Sequence, residues 1–187
     1  MAQSRPVLKR LQSWAMDSGF ATVVAPRNDK DWLMSDEKNS LTNFDRKMIE
    51  LAFMQAKISA DAGGLPIGSV LARGETILGV GHNQRVQKSD PIAHGEMDAL
   101  KNAGRQKTYK DTTLYTSLSP CMMCSGTIVQ FKILRVVIND TENFGGNETF
   151  LRERGVEVID AAHGPSIDQM KTFIAANEAL WNEDIME

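Results

Sequence analysis

Apolar residues first fall into a helical rhythm over residues 43–62, where Met48, Leu51, Ala52 and Ala56 recur three and four positions apart. Thr42 or Asn43 stands where a cap belongs, and Gly63-Gly64 stands where such a helix stops. Two short strands follow, 67–72 and 76–81, joined by Arg73-Gly74-Glu75 in a hairpin-like connection. The pattern then predicts a helix over 92–104 stopped by Gly104, a β-branched and aromatic strand over 112–118, and a helix over 121–131 opened by Pro120. Strands at 135–139 and 157–161, with room for a short helix between them, precede a last helix over 166–180. Helices alternating with strands in this order predict an α/β protein, a three-layer α/β/α sandwich around one mixed sheet.

Residues 1–40 read differently. Isolated aromatics (Trp14, Phe20, Trp32) mix with breakers (Pro6, Gly19, Pro26) without sustained periodicity. The expected organisation is an N-terminal extension, 1–40, that packs on the domain or on a partner subunit, followed by one folded domain, 41–187. A loose tail is the alternative for the extension.

Composition narrows the class. The 187 residues are 42% hydrophobic and 24% charged, as in a globular domain large enough to bury its own core. No apolar run is long enough to span a membrane, and the N-terminus lacks the apolar stretch of a secretory signal. The acid-free start carrying Arg5, Lys9 and Arg10 has a faint organellar character that the acids from Asp17 onward cut short. The expected location is the cytoplasm, and the tripeptides at Asn139 and Asn147 are then chance matches to a glycosylation pattern. A net charge of −3 argues against a nucleic-acid partner.

The chemistry sits in two segments, Ala93-His94-Gly95-Glu96 and Ser119-Pro120-Cys121-Met122-Met123-Cys124. Together they form the H-x-E…P-C-x-x-C signature known of zinc deaminases. A catalytic zinc needs three protein ligands and one position open to water, and one imidazole with two thiolates supplies that count. Cys121 and Cys124 fall in the first turn of a helix, where free N–H groups favour thiolate, and their spacing turns both sulfurs to one side. Glu96, two residues past the histidine, is placed beside the metal rather than on it, as a proton carrier between water, ring and leaving amine. Each half alone is weak: C-x-x-C also serves redox sites, and a structural zinc would want a fourth ligand. His82 in a turn and His163 far along in a loop do not supply one.

The likeness reaches beyond the metal motif. Gly63-Gly-Leu-Pro-Ile-Gly68, Gly81-His-Asn-Gln-Arg-Val-Gln-Lys88, the stretch from Tyr109 to Cys124 and the closing Trp181-Asn-Glu-Asp-Ile185 all resemble fungal-type cytosine deaminase, in the cytidine deaminase-like superfamily. The resemblance covers residues 44–187. It implies a mixed five-stranded sheet, a homodimer, one Zn2+ per chain on His94, Cys121 and Cys124, and Glu96 as proton shuttle. It also implies a pocket for a small nucleobase. There Asn83 and the Gly95 N–H read the carbonyl edge, and the Ser119 carbonyl faces the leaving amine. Ile67, Phe144 and Trp181 wall the ring, and Asp184 contacts the base or supports the site. Asn carries both a donor and an acceptor, and flat aromatic faces suit stacking, so residue chemistry agrees. Gln84, Val86 and Met122 depart from the family pattern near the pocket, and the connection between the zinc segments is two residues shorter.

The expected reaction is hydrolysis of free cytosine to uracil and ammonia. Isocytosine or guanine is the alternative substrate, and a tRNA adenosine deaminase is a weaker one, because only Lys101, Arg105, Lys107 and Lys110 form a basic group. A zinc-stabilised binding module is a further class, against which Glu96 speaks.

Overall fold

The computed structural model describes residues 41–186; the extension proposed over 1–40 lies outside them. Helix α1 (Asn43–Asp61) starts at a reciprocal cap: Thr42 Oγ1 accepts from the Asp45 N–H at 3.0 Å, and the Asp45 carboxylate accepts from the Thr42 N–H at 2.8 Å. Strands β1 (Gly68–Arg73), β2 (Thr76–His82), β3 (Thr112–Thr116), β4 (Arg135–Ile138) and β5 (Glu157–Asp160) form one sheet in the order β2-β1-β3-β4-β5. β1 runs antiparallel to both neighbours, while β3, β4 and β5 are parallel. The expected mixed five-stranded sheet is therefore present.

Period-two alternation divides the core. Val70, Ala72, Tyr115, Val137 and Ile159 face α1 through Met48, Ile49, Leu51 and Ala52. Their neighbours Leu71, Leu114, Val136, Ile138 and Val158 face the other way. There they meet α3 (Gly95–Ala103), α4 (Met122–Phe131) and α5 (Glu148–Glu153) through Leu100, Ile128 and Leu151. Helices thus cover both faces. At Gly81 a Cβ would overlap Ala99 and Asp98 of α3, so only glycine lets that helix seat on β2.

Several boundaries differ from those expected. The helix expected over 92–104 begins only at Gly95, because Asp90 Oδ1 accepts from the Ile92 N–H at 3.0 Å and holds 90–92 as a turn. A four-residue helix, α2 (Arg85–Lys88), follows β2 and was not expected. Strand β3 stops at Thr116, two residues short, since Ser117 turns its N–H to Gly68 and Ser119 turns its own to Asp140. The helix expected over 166–180 is two, α6 (Gly164–Ala176) and α7 (Glu178–Ile185). Asn177, at φ −139° and ψ 44° and so out of helical backbone, breaks them, and its carbonyl restarts the chain by accepting from the Trp181 N–H at 3.0 Å.

That break matters for placement. Asn139, just past β4, donates to Ile49 O and to Ser166 Oγ, both at 3.1 Å, which moors α6 near the carboxyl ends of the parallel strands. From there α7 folds back so that Trp181, with Met170, packs on Leu65, Ile67 and Leu118. Among the described residues no helix is long and apolar enough to cross a membrane.

Candidate active site

Two helix starts and one strand end build the site. His94 is the residue before the first turn of α3, at φ −74° and ψ 160°, and Cys121 holds the same position before α4. Both lie one step earlier than a first-turn placement. Extended backbone at each lets the side chain swing clear of its helix, while Glu96 and Cys124 stand inside the first turns. The loop after β2 is pinned on two sides: the Gln84 N–H donates to Ala93 O in the loop before α3, and the Asn83 N–H to Ile67 O just before β1, both at 2.8 Å. Asn83 is thereby brought beside the segment that carries His94.

His94, Cys121 and Cys124 place one ligand atom each within 4.8 Å of one another. His94 Nδ1 lies 3.6 Å from Cys121 Sγ. A tetrahedral zinc with Zn–N of about 2.05 Å and Zn–S of about 2.3 Å sets such a pair roughly 3.6 Å apart. The donor set and its spacing therefore fit zinc, and His94 offers Nδ1 to it.

Electrostatics among the protein groups point the same way. The Cys124 thiol hydrogen-bonds Cys121 and, with His94 close by, holds Cys121 down to about 4 despite burial. Cys124 is pushed well above the ordinary thiol range by that same bond and by burial. These directions favour thiolate at one sulfur of the pair, and a bound dication would supply what is needed to ionise the second. Burial lowers His94, but Cys121 and Glu96 outweigh it and raise the ring above its usual value. Glu96, only 3% exposed, is raised first by burial and then by the Cys121 charge. It accepts a hydrogen bond from Thr116 Oγ1 at 3.3 Å. A carboxyl lifted toward neutrality beside a metal can both take and return a proton.

The base-facing candidates gather on the same side. Ile67, Trp181 and Phe144 belong to one apolar cluster, and the Phe144 and Trp181 rings meet edge-on at 6.0 Å and 86°. Gly95 packs so closely that a Cβ there would come within 3.2 Å of Ile67 O. Asn83 is fully buried; its Oδ1 accepts from the Arg85 N–H at 3.0 Å, and its Nδ2 has no hydrogen-bond partner among the described residues. An unmet buried donor at this position suits a ligand oxygen. Ser119 donates its N–H to Asp140 O at 2.9 Å and its hydroxyl to Glu148.

Asp184 is not the solvated acid that the polar end of the chain suggests. Its side chain is 7% exposed, bonded to Arg85 Nη1 at 2.6 Å, with the same oxygen 4.0 Å from His94 Nε2. Sequence reasoning missed Arg85 and Glu148 as parts of this assembly. The buried character of Arg85 has no local signal, since its partner lies 99 residues away. The basic residues Lys101, Arg105, Lys107 and Lys110 line a cleft of about 810 Å³ at the opposite ends of α3 and α4, away from the metal ligands.

Comparison with known proteins agrees with this geometry. Over 150 residues, 79% of this chain and 100% of the other, it is 50% identical to a cytosine deaminase of Candida albicans. A tRNA-specific adenosine deaminase of Buchnera aphidicola is 40% identical over 99 residues, 51% of this chain and 66% of that one. The guanine deaminase from Nitrosomonas europaea superposes with a TM-score of 0.62 at 16% identity, covering 84% of this chain and 100% of the other, a likeness of fold. The pattern of the cytidine and deoxycytidylate deaminase zinc-binding region matches residues 42–140, the span that holds both helix starts. A three-ligand zinc geometry, a buried carboxyl beside it and that match lead to one conclusion: the chain belongs to the family of zinc-binding cytidine and deoxycytidylate deaminases.

Proposed function

We propose that this protein hydrolyses free cytosine to uracil and ammonia, with His94, Cys121 and Cys124 as zinc ligands and Glu96 as the catalytic acid and base. One observation carries the choice of base: the relative named for cytosine is matched over 100% of its length, the tRNA-specific relative over only 66%. The net charge of −3 further disfavours an RNA substrate.

The residues divide the work. Asn83 Nδ2, otherwise unpartnered, donates to the carbonyl of the base, and the Gly95 N–H adds a second donor. Ile67, Phe144 and Trp181 hold the ring flat and exclude water. His94, Cys121 and Cys124 would hold the zinc, which would supply a coordinated water with its pKa lowered toward neutrality. Glu96 takes a proton from the attacking water and delivers it to the ring nitrogen, and then carries the second proton to the departing amine. Carbon 4 gains its oxygen as the C–N bond breaks, so water and cytosine become uracil and ammonia. The Ser119 carbonyl, steadied by the Ser119–Asp140 and Ser119–Glu148 bonds, faces the amine as it leaves. Asp184 supports the ring of His94 or meets the base.

The same reading extends to assembly and setting. Val86, Ile92, Met122, Phe131 and Leu134 are 44–56% exposed on the described surface, an apolar set that supports a homodimer. The reading places the enzyme in the cytoplasm, in pyrimidine salvage, with residues 1–40 an N-terminal extension to the deaminase domain. Ammonia release over a panel of free bases and nucleosides tests the reaction. Greater activity on guanine, isocytosine or tRNA than on cytosine overturns the choice of base.

A further inference from the structure

Arg85 is a buried cation that the chemistry above leaves without a task. Its residue is 8% exposed, which for a guanidinium demands partners for nearly every N–H. Two sets of bonds fix the residue, one from its backbone and one from its guanidinium. Its backbone N–H donates to Asn83 Oδ1 at 3.0 Å, which leaves the Asn83 amide with Nδ2 free to face a ligand. Its Nη1 reaches Asp184 Oδ1 at 2.6 Å, and its Nη2 reaches Glu183 Oε1 at 3.3 Å, both on α7. Glu183 is 67% exposed and contributes little; Asp184, at 7%, is the partner that matters.

α7 needs such a tie. It has eight residues and no side-chain cap bond at its N-terminus, below the length at which a helix persists unaided. Trp181 is the one residue of α7 buried as a whole, and beside it the Asp184 side chain is also withdrawn from solvent. Resting on the deaminase reading above, we propose that Arg85 is a positioning residue: its guanidinium latches α7 over the base pocket and sets the Asp184 carboxylate beside His94 Nε2. Loss of the latch leaves the Asp184 carboxylate buried without its cation, so α7 lifts and carries Trp181 off the ring. The base then escapes faster, while the metal ligands and Glu96, held by α3 and α4, stay in place.

Arg85→Gln tests this on the full chain. Amide hydrogen exchange over residues 178–185 should quicken ~10-fold or more, a measure that needs no turnover. KM for cytosine should rise ~10-fold or more with kcat within ~3-fold, and zinc should remain at one ion per chain. Arg85→Lys keeps a cation within reach and should recover part of both effects, whereas Glu183→Gln should match the unaltered protein. A folded, zinc-loaded Arg85→Gln with unchanged exchange and unchanged KM overturns the latch. Where Arg85→Gln does not fold, Asp184→Asn removes the same ion pair from the other side, and α7 exchanging there at the original rate overturns it equally. Absence of ammonia release from every base by the unaltered protein would instead sink the deaminase reading, and the exchange measurement would still decide on the latch.

Discussion

His94 Nδ1 and Cys121 Sγ stand 3.6 Å apart although 27 residues separate them, and each occupies the capping position of its own helix. Two helix starts aimed at one point therefore set the separation that a tetrahedral zinc requires.

The metal prediction follows from that geometry. The protein should bind one zinc per chain, and Cys121→Ala or Cys124→Ala should abolish both binding and ammonia release. Cys121 is held down to about 4, so in chelator-stripped protein it should be the thiolate at pH 6 and react with iodoacetamide. Cys124, pushed up, should react only in alkaline solution. Zinc should protect both and release protons on binding. Equal labelling of the two cysteines at pH 6 would contradict this assignment.

Glu96→Gln keeps the shape of the side chain and the bond from Thr116 Oγ1 but cannot cycle a proton. Zinc content should be unchanged while kcat falls by ~10²-fold or more. Elemental analysis beside a rate measurement separates the two, and near-normal turnover would remove Glu96 from its role.

On the proposed reading Phe144 and Trp181, whose rings meet edge-on at 6.0 Å, close over the base, so free cytosine should be deaminated far better than cytidine. Removing residues 181–187 takes away the Trp181 face, a stacking contribution of ~1–3 kcal/mol, and the Asp184 contact. The shortened protein should keep its fold and zinc and lose most activity. Rates on cytosine, cytidine, isocytosine and guanine, with and without the segment, are the comparison. Cytidine as the better substrate, or unchanged cytosine turnover after truncation, would refute the enclosed pocket.

Acid stability should report Asp45. Burial raises this carboxyl, but hydrogen bonds from Arg135 at 2.7 and 3.1 Å, from Tyr115 at 2.6 Å and from Thr42 outweigh it and leave it at about 2. The folded value lies below the unfolded value near 3.9, so its stabilisation is complete above about pH 4 and drains away as pH falls toward 2. Asp45→Asn should cost about 2–4 kcal/mol at pH 7, and the gap to the unaltered protein should narrow below pH 4 in urea melts. A gap independent of pH would mean the ion pair is not its source.

Much of the fold was legible because its causes are local. The stripe Met48, Leu51, Ala52, Ala56 gave α1, the hairpin turn at Gly74 joined β1 to β2, and the five strands alternate as read. Boundaries failed where a loop bond competes with the element, as at Asp90 before α3, or where one residue such as Asn177 splits a periodic run. Nothing in a hydrophobic pattern encodes those bonds.

The site divides along the same line. His94, Glu96, Cys121 and Cys124 were readable because metal chemistry restricts residue type and spacing within single helix turns, and those turns are specified by nearby sequence. The sequence by itself thus determined the candidate ligand set and the class of reaction, and it singled out Glu96 for the proposed proton transfer. Only tertiary structure decided that Asp184 is buried against Arg85, that Ser119 is held by Glu148, and that the Asn83 amide keeps one donor unmet. Those are consequences of desolvation. A charge or amide becomes costly, and therefore selects its partner, only once distant segments have closed over it and excluded water.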